Sequence, residues 1–141
     1  MRTPEARSPL ELIQEDYRGD PWKISVISII LNVSFRDRCR PIINEFFSRY
    51  ANHLIVADVP SAEIELLLTP TGLQRKKTER IQTLSRRMRH EWKSVEDLPY
   101  LGVYGRDNFS IFVLGELVEE PTDGELKKYV EWAKSWYTSR T

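Results

Sequence analysis

Cysteine is nearly absent from the 141-residue sequence. The single thiol, Cys39, leaves no intramolecular disulfide framework and no iron–sulfur or zinc site built from several cysteines. Histidine is scarce as well: His53 and His90 stand far apart without metal-ligand spacing, so no metal centre and no cofactor are expected. Net charge is missing, because 21 basic residues balance 21 acidic ones. No apolar run reaches the ~18 residues that a membrane span needs; the longest, Ile24–Leu31, is broken by Ser25 and Ser28. The opening Met-Arg-Thr-Pro-Glu-Ala-Arg has no apolar stretch of the secretory kind. Phosphate-binding loops, nucleophile elbows, internal repeats and low-complexity segments are also absent. These absences lead us to expect a soluble, intracellular, monomeric chain without a membrane partner. It should form one domain over residues 1–141, with a flexible lead-in over residues 1–8.

What is present is globular: 40% hydrophobic, 30% charged and 11% aromatic residues. Glycine and proline are few, and they punctuate helical patterns. Asp20-Pro21 is a helix start, an N-cap acceptor followed by a residue with no N–H to satisfy. The segment after it, Trp22 to Val33, is apolar on nearly every side and reads as a buried central helix. Pro41 to Tyr50 sets Ile42, Ile43, Phe46, Phe47 and Tyr50 at helical spacing. Pro60-Ser61 opens a short helix that Thr69-Pro70-Thr71-Gly72 closes. Ile81, Leu84, Met88 and Trp92 predict a helix from Arg75 to Trp92, and Ser94 to Leu98 one further turn. After the compact Leu98–Gly105 turn comes an apolar helix through Phe109 and Leu114. The last helix runs from about Asp123 to Tyr137. With no alternating strand pairs, the pattern predicts an all-α protein of seven to nine short helices.

Charge placement matters more than its sum. Between Leu73 and Lys93 stand eight basic residues against Glu79 and Glu91 alone, a local excess of six. Glu116, Glu119, Glu120, Asp123 and Glu125 supply the compensating acidic stretch. The basic run is either a solvated helix face or a face that contacts phosphates, where local rather than total charge sets the attraction. Two further features carry similar alternatives. Leu101-Gly102-Val103-Tyr104-Gly105 is a short helix connection, or a loop whose glycines let the backbone approach a phosphate. Thr122 with Glu125 reads as a capping box beside a dipole-favoured Asp123. Equally, Asp123 is a carboxylate set to stabilise a cationic transition state or to orient a water.

Together these residues resemble the helix-hairpin-helix base-excision DNA glycosylases. Leu98-Pro99-x-Leu101-Gly102-x-Tyr104-Gly105, an apolar helix, and then an aspartate ahead of another helix carry the likeness. Within that superfamily the chain is most similar to the glycosylase domain of the methyl-CpG-binding thymine glycosylases. Gln14 and Tyr17 ahead of Asp20-Pro21-Trp22-Lys23 carry this nearer likeness, with Leu31-Asn32, Gly72-Leu73, Tyr104-Gly105-x-Asp107, and Leu126-x-Lys128-Tyr129 with Trp132. The likeness spans about residues 10 to 137, in order.

The resemblance implies a role for each matching residue. Gly102 and Gly105 would present main-chain N–H groups to the DNA backbone, aided by Arg75, Lys76, Lys77 and Arg80. Asp123 would be the catalytic carboxylate. Tyr104 and Gln14 would line the pocket for a flipped pyrimidine, and Leu73 would be the wedge that fills the vacated stack. Lyase-competent relatives carry a Schiff-base lysine in the hairpin where this chain has Tyr104, which implies hydrolysis without strand cutting. The implied substrate is a mismatched, damaged or modified pyrimidine (thymine, uracil or 5-hydroxymethyluracil) opposite guanine in double-stranded DNA. The rival expectations are the same fold acting on modified thymine without excision, or a non-catalytic DNA-binding module. Two positions depart from the pattern: Tyr100 replaces the hairpin's first glycine, and Val33 replaces an arginine.

Overall fold

A computed structural model describes residues 1–32, 34 and 36–140. Eight α-helices follow one another among the described residues, with no strand: α1 (Ile13–Asp16), α2 (Pro21–Leu31), α3 (Arg36–Arg49), α4 (His53–Val56), α5 (Ser61–Leu68), α6 (Gln74–Arg87), α7 (Gly102–Phe109) and α8 (Gly124–Thr138). Short 3-10 turns cover Thr69–Thr71 and Val95–Asp97, and a π-helical turn covers Ser110–Leu114.

Helix α2 is the centre of the molecule. Asp20 caps it, accepting the Lys23 N–H at 2.9 Å, and Pro21 occupies its first position. Trp22 and every residue from Ile24 to Ile30 are buried, beneath α3, α6 and α7. The two serines in this apolar helix have no water to bond, so they turn back on their own backbone. Ser25 donates to Pro21 O at 2.7 Å and Ser28 to Ile24 O at 3.0 Å. Across the α2–α6 contact, the Trp22 indole N–H donates to Ser85 Oγ at 2.9 Å.

The structure departs from the sequence pattern at several boundaries. Helix α3 begins at Arg36, so Pro41 lies inside it rather than at its start. The proline removes one helical N–H, opposite the carbonyl of exposed Asp37, where water can substitute. Cys39, Ile43, Phe46 and Phe47 form the helix's buried face. Removing the wholly buried Phe46 ring would cost about 3–5 kcal/mol. Helix α6 stops at Arg87, and Trp92 packs its indole edge-on against Phe109 at 6.1 Å from outside the helix. The expected Leu98–Gly105 turn is shorter: α7 already begins at Gly102, and the hairpin's first arm is the single 3-10 turn Val95–Asp97. Residues 1–8, expected as a flexible lead-in, are docked. Thr3 bonds Gly115 O through its N–H at 2.8 Å and Ile111 O through its hydroxyl at 2.7 Å, and Ser8 is buried against Glu15.

Candidate active site

A cavity of about 190 Å³ opens where α1, the end of α2, α7 and the start of α8 converge. It would hold about six waters at ~30 Å³ each and falls below the ~300 Å³ at which drug-sized pockets begin. Gln14, Tyr104 and Asp123 all line it, although about 90 residues separate the first from the second. Leu12 and Leu31 supply apolar wall, and Ser34, Arg36 and Glu125 complete the rim. Arg36 spans Leu10 O at 2.9 Å and the Glu125 carboxylate at 3.4 Å.

Asp123 reaches the cavity because it is the N-cap of α8. Its Oδ2 accepts the Leu126 N–H at 3.0 Å. The cap therefore falls one residue later than the expected Thr122–Glu125 box, and Glu125 is turned toward Arg36 instead. Tyr104 sits on the first turn of α7, and burial pushes its phenol up to about 12, with the Asp123 and Glu125 carboxylates reinforcing the shift and Asn108 opposing it. The group stays a neutral hydrogen-bond donor at physiological pH. Gln14 is buried and its side-chain N–H2 bonds Tyr104 Oη at 3.4 Å and Asn108 Oδ1 at 3.1 Å. Its carbonyl oxygen has no partner. A buried acceptor left so costs about 1–3 kcal/mol.

Leu73 follows Gly72, and both have left-handed backbone, at φ +49° and +77°. The side chain is half exposed, a poor place for leucine unless something covers it in function. Thr71, two residues earlier, is fixed from two sides: Ser34 Oγ donates to its carbonyl, and so does Lys77 Nζ, at 2.9 Å. Since Ser34 also lines the cavity, the Gly72–Leu73 loop is tied to the cavity wall.

Two residues implied to hold the DNA backbone are placed otherwise. Lys77 is only 2% exposed, and its ammonium is spent on Thr71 and Ser34, so it cannot reach a phosphate. Burial lowers its pKa, and the neighbouring Cys39 opposes that shift. Gly105 donates its N–H to Leu101 O at 2.9 Å inside α7, leaving nothing for an anion. Glycine is needed there for space, because a Cβ would stand 2.6 Å from that of Leu101. Gly102 remains open to solvent at the helix start, with φ +60°. Arg75 and Lys76 are exposed, whereas the Arg80 guanidinium lies over the Tyr100 ring at 5.4 Å. Tyr100 adopts φ +65°, the backbone that the missing glycine would adopt without strain. Val33 lies outside the described residues.

Sequence reasoning missed Asn108, Ser28, Ser34 and Arg36. Ser28 is a lone polar residue within an apolar run, whereas Arg36 and Asn108 stand among other polar residues and Ser34 close to them; neither pattern distinguishes a network member from a solvated side chain.

No protein-family profile matches the chain. A methyl-CpG-binding domain protein 4-like protein of Arabidopsis thaliana is 35% identical over 133 residues, which is 93% of this chain and 30% of the relative. The chain thus spans under a third of that curated relative. Among solved structures, a thermostable thymine-DNA glycosylase superposes with a TM-score of 0.64 at 21% identity, over 70% of this chain and 49% of the other.

Proposed function

The chain is related to the helix-hairpin-helix DNA glycosylases and has their fold, and from that premise we propose that it is itself a monofunctional DNA N-glycosylase. It acts as a monomer, inside the cell, on a mismatched, damaged or modified pyrimidine opposite guanine in duplex DNA. The observation that carries this reading is the convergence of Gln14, Tyr104 and Asp123 on one small cavity.

The chemistry follows from that convergence. A target sugar inside a stacked duplex is out of reach, so the base must swing out, with Leu73 filling the gap. In the cavity the unpaired Gln14 carbonyl accepts a ring N–H, and the neutral Tyr104 hydroxyl donates to a ring carbonyl. As the C1′–N bond breaks, its electron pair leaves with the base and positive charge grows on the sugar. Asp123 stabilises that charge and takes a proton from the water that adds to C1′. The departing base anion takes up the proton that Asp123 received from the water, so the products are free base and an abasic site and the carboxylate is restored. Among the described residues that line the cavity there is no lysine to form an imine with C1′, which supports hydrolysis without strand cleavage. Gly102, Arg75 and Lys76 are the groups left to grip phosphates.

The test is a panel of duplexes carrying thymine, uracil or 5-hydroxymethyluracil opposite guanine, each treated with protein and then alkali. Alkali-dependent breaks at the lesion, with free base detected by mass spectrometry, are the expected result. Breaks without alkali would remove the monofunctional assignment. Intact strands for every lesion, from protein that melts cooperatively, would overturn the enzymatic reading. An altered base left on its sugar would favour modification over excision.

A further inference from the structure

Behind the Gln14 amide lies a buried chain of hydrogen bonds that the proposed reaction does not itself use. Ser28, on α2, gives its hydroxyl proton to Ile24 O at 3.0 Å, so its oxygen is left to accept. Asn108, on α7, donates Nδ2–H to that oxygen at 3.1 Å. The Asn108 amide is thereby fixed, with its Oδ1 turned toward Gln14, whose Nε2 donates to it at 3.1 Å. The other Gln14 N–H goes to Tyr104 Oη at 3.4 Å. Both donors of Gln14 are consumed, and its oxygen alone is unpaired. All three residues are buried, Asn108 completely.

We propose that Asn108, held by Ser28, is a specificity-determining positioning residue. It locks the Gln14 amide with the oxygen unpaired, so that the cavity selects a pyrimidine with an N–H at ring position 3 and rejects cytosine. This inference rests on the glycosylase reading of the same cavity. The selection is chemical. Uracil and thymine carry N3–H and complement an acceptor. Cytosine presents a lone pair at N3 and would face the Gln14 oxygen acceptor to acceptor. Were the amide free to rotate, it would offer N–H to cytosine equally well, and the distinction would vanish. Asn108 touches no base; it acts through Gln14.

The experiment measures binding to duplexes containing 2′-fluoroarabinouridine or 2′-fluoroarabinocytidine, whose glycosidic bonds resist hydrolysis. Each is placed opposite an abasic site, so neither base has a partner to lose. The wild-type protein is expected to prefer the uracil duplex about tenfold, as for one well-placed hydrogen bond plus the avoided clash. Asn108→Leu should narrow that preference to near unity, while affinity for undamaged duplex and cooperative melting are retained. Ser28→Ala, which frees Asn108 to rotate, should narrow it about threefold and decides the matter alone if Asn108→Leu does not fold. A full preference in both variants, or none in the wild type, overturns the proposal. Base release from an ordinary uracil duplex is run in parallel. Its absence fells the glycosylase reading, whereas its presence with an unchanged preference fells only the positioning role.

Discussion

The Asp123 carboxylate and the Leu126 N–H are joined by a 3.0 Å hydrogen bond, so one side chain both starts α8 and faces the cavity. The two duties are separable by substitution. Asparagine caps a helix about as well as aspartate but carries no charge. Asp123→Asn should therefore abolish base release in a single-turnover assay and leave the melting temperature unchanged. Asp123→Ala should lose activity and also about 1 kcal/mol of stability. Turnover retained by Asp123→Asn would remove the carboxylate from the chemistry.

Leu73 sets function against stability. A non-glycine residue in left-handed backbone costs about 1–2 kcal/mol, and a half-exposed leucine returns little of it through burial. Leu73→Gly should hold or raise the denaturant midpoint, yet reduce excision about tenfold or more, through loss of the group that fills the vacated stack. Leu66→Ala, at an even more exposed leucine on α5, should change neither. Equal activity of Leu73→Gly and wild type would show that Leu73 is not the wedge.

The basic run on α6 divides into two populations with different signatures. Arg75→Ala and Lys76→Ala should each lower duplex affinity and reduce the slope of log affinity against log salt by about 1. Lys77→Met should leave that slope unchanged. It should instead destabilise the fold by about 1–3 kcal/mol, because the Thr71 carbonyl and Ser34 lose a buried partner. A fall in salt dependence for Lys77→Met would return Lys77 to the DNA face.

These particulars mark what was legible in the chain. Asp20-Pro21 announces α2 because its cap is local, completed within three residues. Pro41 misleads because α3 is carried through it by the burial of Cys39, a tertiary contact. Trp92 keeps the helical spacing of Ile81, Leu84 and Met88, but the aromatic contact with Phe109 determines its place after the chain has turned. Lys77 reads as one more solvated charge in a basic run, since nothing local says that Ser34 and Thr71 wait across the fold. Residues of the cavity and its surroundings emerge from family likeness where their motif is contiguous, as at Gly72-Leu73 and Tyr104-Gly105. The polar groups behind the cavity stay hidden because only three-dimensional closure brings them together, as with Ser28 and Asn108, which lie 80 residues apart.

Alkaline pH gives a last, independent test of the pocket. Burial pushes the Tyr104, Tyr50 and Tyr129 phenols up to about 12 from an ordinary 10.0, so the folded state holds these protons where the unfolded chain releases them. Native stability tied to them is fully present below pH 10 and is lost as pH rises through about 12. Absorbance titration should accordingly show these three tyrosines ionising late, with Tyr17 also delayed by its burial, together with loss of helical circular dichroism. Tyr104→Phe should shallow the alkaline fall in stability and also weaken uracil binding, because the hydroxyl that donates to the base is gone. Tyr50→Phe and Tyr129→Phe should shallow the same fall and spare binding, since neither residue lines the cavity. Uniform titration of all six phenols near pH 10 in folded protein would mean that Tyr104 is open to water, and the cavity described around it would not exist.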